Sequence, residues 1–191
     1  MLQSAVVIML LLATRTAHGS ACVAIQQLPV KLFNDAAVGN EVLHPAVGDA
    51  AFILKSICVE VVLTRCLPLS VSNQTPCQAP AGALEVHILS APVTSDFHED
   101  TLGIAMPRLA GGDRAAVFLS HVRETAARNV GVTSVSDVLG CALAHEIGHL
   151  LLHSASHSSE GVMRANLRSA DLKKAAQRQL TFTAEQREAI R

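Results

Sequence analysis

"HEIGHLLLHSASHSSEGVM", residues 145–163, sets four histidines at intervals of four, with a glutamate directly after the first and a methionine beyond the last. On a helix His145 and His149 share one face, about 6 Å apart along the axis. At that spacing two imidazoles reach a single zinc ion at roughly 2.0–2.1 Å each. Glu146 is turned about 100° away, so it is poorly placed as a ligand and well placed beside a metal-bound water as general base. With nine histidines and nine glutamates in 191 residues, His-Glu-x-x-His is expected by chance only about 0.02 times.

The third ligand is a question of reach. In an unbroken helix His153 would lie about 12 Å from His145 and His157 about 18 Å, so neither could share its metal. The chain must turn back, and "HSASHSS" supplies Ser154, Ser156, Ser158 and Ser159 to stop the helix. That turn favours His157 as the third ligand. It leaves His153 at the negative end of the helix dipole, as the alternative.

Upstream, "SDVLGCALAHEIGHLLLH" opens on Ser136 as N-cap with Asp137 in the first turn. Strands are expected at "LPVKLFND" (28–35), "CVEVVLTRC" (58–66), "LEVHIL" (84–89), "TLGIAMP" (101–107) and "RAAVFLSHV" (114–122). The stretch from Glu41 to Ile57 has helical apolar spacing, with Pro45 admissible near its first turn or at a kink. Pro107 marks its strand as an edge. "SADLKKAAQRQL" and "TAEQREAIR" read as one or two C-terminal helices. The fold class is therefore α/β in the α+β sense: a mixed twisted sheet with an edge strand, a helix carrying the motif, and a C-terminal helix.

Half the residues are hydrophobic, yet the chain has no Trp or Tyr and only five Phe, so the core is aliphatic. Net charge is −1 with no basic stripe, which argues against nucleic acid and anionic membrane surfaces as partners. "AVVIMLLLA" (5–13) is too short to span a bilayer, and with "AHGSA" it reads as a secretory signal peptide over residues 1–21. Residues 22–191 then form one domain, secreted, monomeric and not stably inserted in a membrane. In an oxidising compartment Cys66 and Cys77 can close the loop "LPLSVSNQTP", for roughly 2–3 kcal/mol. The sequence leaves connectivity open, with Cys58 and Cys141 admissible as plain buried thiols; no cysteine pair has CxxC spacing.

The segment "HEIGHLLLHSASHSSEGVM" resembles the metzincin zinc peptidases, whose pattern is HExxHxxGxxH followed by a methionine-bearing turn. "HSSEGVM" is similar to the matrixin version, where Ser follows the third His. The resemblance implies a zincin fold over most of residues 28–191, with one catalytic Zn2+ held by His145, His149 and His157. It implies Glu146 as general base and Met163 as the turn methionine beneath the site. The activity implied is endopeptidase hydrolysis of a peptide or protein substrate lying antiparallel to the edge strand "TLGIAMP". The sequence departs from the pattern in having seven residues between His149 and His157 instead of five. Leu152 stands at the nominal glycine and Ala155 where the third His would fall. These features describe a divergent, bacterial-type branch with an HExxH-x7-H motif.

Three other readings stay open, one of them an adhesion or scaffold domain in which the motif is accidental and no metal binds. A gluzincin-like hydrolase would take Glu185 or Glu188 as its third ligand. A secreted zinc-binding or interaction domain without turnover would need no Glu146. Cys141 stands one turn before His145, where a small buried residue is the simpler reading. His44, His87, His98 and His121 have no ligand-like spacing.

Overall fold

The computed structural model of the protein describes residues 22, 24–67, 77–109 and 112–190; the expected leader, residues 1–21, lies outside them. In chain order the elements are β1 (Gln26–Phe33), α1 (Asn40–Lys55), β2 (Val59–Cys66), β3 (Leu84–Leu89), β4 (Gly103–Leu109) and β5 (Gly112–Phe118). Helices α2 (Leu119–Arg128), α3 (Val135–Leu152), α4 (Ser169–Ala176) and α5 (Ala184–Ile190) follow.

Alternation builds the sheet. Leu28, Val30 and Leu32 of β1, and Leu84, Val86 and Ile88 of β3, are buried, while the residues between them are less so. The order is β2-β1-β3-β5-β4, with β1, β2, β3 and β5 parallel and β4 antiparallel at the edge. The sheet is therefore mixed, and Pro107 does lie on an edge strand. The inner face packs on α1 and α3: Val30, Leu32 and Val86 line one small apolar space with Ala50, Leu54, Leu143 and Ile147. Pro45 sits in the second turn of α1, where its ring removes one helical hydrogen bond without ending the helix.

Three expectations need correction. The strand expected over 114–122 stops at Phe118. Beyond it Leu119, Val122 and Ala126 are buried at helical spacing, so "SHV" belongs to α2. The N-cap of α3 is Ser134 instead of Ser136. Its Oγ accepts from the Asp137 N–H at 3.2 Å, and Asp137 Oδ2 accepts the Ser134 N–H at 2.7 Å. A side-chain acceptor three residues after the cap closes that reciprocal box, and Asp137 stands three residues after Ser134. Finally, Cys58 is not a free thiol: it is bridged to Cys22, alongside the expected Cys66–Cys77 bridge. Cys141 is free and buried. Two disulfides point to an extracytoplasmic setting.

Helix α3 runs through the centre of the fold. By length and composition it could cross a membrane, but 72% of it is buried inside the protein, as expected of a core helix.

Candidate metal centre

Three histidines converge where α3 ends. His145 Nε2 stands 3.0 Å from His149 Nε2, which stands 3.3 Å from His157 Nε2. All three ligand atoms lie within 4.8 Å of one another, and the group could hold a metal ion.

The other ring nitrogens show what these contacts are. His145 Nδ1 faces the Val162 carbonyl at 2.8 Å and His149 Nδ1 faces the Ser154 carbonyl at 2.7 Å. A carbonyl only accepts, so both Nδ1 atoms carry the proton and, in the neutral rings, both Nε2 atoms point lone pairs at each other. Such an arrangement is repulsive until a cation enters it. Burial pushes the His145 imidazole down to about 4, with the neighbouring His149 and His157 adding to the effect against the Val162 hydrogen bond. Burial, then His157, also lowers His149. The fold thus keeps these rings neutral, the form a metal requires.

The turn that delivers His157 is built by His153. It adopts the left-handed conformation (φ 48°, ψ 36°), and the N–H groups of His153 and Ser154 donate to the carbonyls of Leu150 and His149. This is the helix-ending geometry usually given to glycine. His153 is exposed and stands outside the metal-competent group. After the turn, the Ser158 N–H donates to the Met163 carbonyl at 2.9 Å, and Ser158 forms an isolated bridge with Arg164.

Met163 is fully buried beneath the helix. A β-carbon on Gly148 would stand 2.5 Å from Met163 Sδ and 2.8 Å from Phe182 Cε1, so the sulfur occupies the space the glycine leaves beside His149.

Glu146 is buried, 4% exposed, and burial alone pushes its carboxyl up to about 8. It faces a cleft of about 300 Å³ between β4 and α3, whose lining includes Gly103, Ile104, Ala105, His145, His149 and His157. Neither Glu185 nor Glu188 belongs to the metal-competent group, nor does Cys141, whose thiol burial pushes up. Of the remaining histidines, His121 donates through Nδ1 to the Thr101 carbonyl at 2.8 Å, fixing the approach to β4. His87 pairs with Asp35 at 2.8 Å and stacks on Phe33.

The sequence reading missed the carbonyls of Val162 and Ser154, because any residue supplies a carbonyl. It also missed Gly103 and Gly148, whose role is the space they leave. No family model matches the chain, and no curated protein matches its sequence.

Proposed function

We propose that the chain is a zinc-dependent endopeptidase of metzincin type, acting outside the cytoplasm. One observation carries the reading: three imidazole nitrogens converge beside a buried glutamate in a cleft walled by the edge strand β4.

The donor set favours zinc. Calcium and magnesium take oxygen ligands, whereas three histidines with an open fourth position describe a catalytic zinc site. Three nitrogens bound to one tetrahedral zinc stand about 3.3–3.4 Å apart, near the 3.0 and 3.3 Å found here. A bound zinc ion would supply Lewis acidity toward the scissile carbonyl and the attacking water.

The chain's own residues supply the rest. Glu146 takes the proton of the attacking water and returns it to the leaving amine. Its raised carboxyl suits proton transfer near neutral pH, and a neighbouring cation would draw it back down. β4 lies at the sheet edge, where an extended peptide can pair with it in antiparallel fashion. Among the described residues that line the cleft, Glu146 is the only acid.

The test is hydrolysis of an unfolded protein such as reduced, alkylated casein. Parent protein should cleave it, a chelator should abolish cleavage, and Glu146→Gln should lose about 100-fold or more while keeping its metal. Undiminished cleavage by Glu146→Gln would reject the mechanism. Metal binding without cleavage by the parent would favour a zinc-binding domain without turnover.

A further inference from the structure

We propose that the Arg164–Asp171 ion pair positions His157, and through Val162 also His145, so that it sets metal affinity from outside the ligand set. The proposal rests on the zinc reading above.

His157 is the one ligand not on α3, and it is exposed. Its placement depends on the segment that follows. Within Ser158–Arg164, the Val162 carbonyl holds His145 Nδ1, and the Met163 carbonyl receives the N–H of Ser158, the residue after His157. One short turn therefore orients two of the three ligands.

Three attachments hold that turn to the body of the protein. Met163 packs into the space at Gly148, and the Val162 N–H donates to the Thr181 carbonyl at 3.0 Å. The third is Arg164, whose Nε lies 3.2 Å from Asp171 Oδ2 on α4, with side chains only 19% and 8% exposed. The same carboxylate oxygen accepts the Arg168 N–H at 3.0 Å, which fixes the carboxylate on the first turn of α4. Arg164 is also the bridge partner of Ser158. Arg164 Nε is buried and makes no hydrogen bond among the described residues, so the carboxylate fixed on α4 holds its charged partner, Arg164, by Coulomb attraction at close range. Here that partner lies directly across the bridge from the residue next to His157. Arg164 and Asp171 touch neither metal nor substrate; they are positioning residues.

The test compares Arg164→Met, Asp171→Asn and Arg164→Lys with the parent, each loaded with zinc or cobalt(II). Zinc dissociation constants come from competition with a chromophoric chelator, and ligand geometry from the cobalt d–d absorption bands. Arg178→Met is the control, since it breaks a more exposed pair with Asp49 at the same 3.2 Å separation, away from the turn. Arg164→Met and Asp171→Asn should bind zinc about 10–100-fold more weakly and shift the cobalt bands, with Arg164→Lys recovering part of both. Arg178→Met should lower the melting temperature while leaving affinity and bands unchanged. Affinities within about twofold of the parent in folded Asp171→Asn and Arg164→Lys would overturn the proposal, even if Arg164→Met does not fold. A parent that binds no zinc would overturn the metal centre itself, and this inference with it.

Discussion

Gly103 leaves the room that Glu146 occupies. A β-carbon on Gly103 would stand 2.8 Å from both Cγ and Oε1 of Glu146, and 2.5 Å from the Ala116 carbonyl oxygen. Ala116 lies on β5 beside Val117, the register partner of Gly103, so the backbone cannot retreat without breaking the sheet. Gly103→Ala must therefore displace the glutamate. We expect turnover to fall by about 100-fold, since a misplacement near 1 Å has that effect. Metal content should stay at the parental level, because no ligand is touched. Assaying both quantities on one preparation separates the two.

Gly148 and Met163 form a second close fit, on the opposite side of the motif. With a β-carbon 2.5 Å from Met163 Sδ and 2.8 Å from Phe182, Gly148→Ala overfills the core. A loss of about 1–3 kcal/mol in unfolding free energy is expected from chemical denaturation. The double variant Gly148→Ala, Met163→Val should recover part of it, since the shorter side chain clears the sulfur's position.

The metal-free protein should be penalised for Glu146 at alkaline pH. In the unfolded chain this carboxyl ionises near 4.5, whereas in the fold it holds its proton to about 8. Between those values the folded state binds more protons, so its stability falls as pH rises. Glu146→Gln has no proton to lose. In chelator, its melting temperature should exceed the parent's at pH 8, and the gap should shrink on lowering the pH to 5. A gap independent of pH would show that the carboxyl is not buried as described.

His153 serves the turn through its backbone. Its left-handed conformation costs an ordinary residue about 1–2 kcal/mol, which glycine avoids at the expense of roughly 0.5–1 kcal/mol in unfolded-state entropy. His153→Gly should therefore keep its full metal content and equal or exceed the parent in stability by up to about 1 kcal/mol. Metal lost on this substitution would make His153 a ligand.

Much of the candidate site was readable because a group able to hold a metal needs particular residue types at fixed helical spacing. His145, Glu146 and His149 follow from a period of 3.6 residues, and His157 from the impossibility of reaching one ion along a straight helix. The sheet was readable where apolar residues alternate, as in β1 and β3. It was misread at Leu119, where the period changes inside one apolar run and only the burial of Val122 and Ala126 reveals a helix. Ser134 and Ser136 compete as caps, and the choice rests on a reciprocal bond to Asp137 that composition does not express. The Cys22–Cys58 bridge joins residues 36 apart, and pairing at that distance is a property of the fold.

The measurement closest to the central claim is the zinc content of the purified protein, residues 22–191, beside its His157→Ala and His153→Ala variants. One zinc per chain is expected in the parent and in His153→Ala, with the metal lost or much weakened in His157→Ala. Zinc retained in His157→Ala but lost in His153→Ala, or no zinc in the parent, would contradict the account.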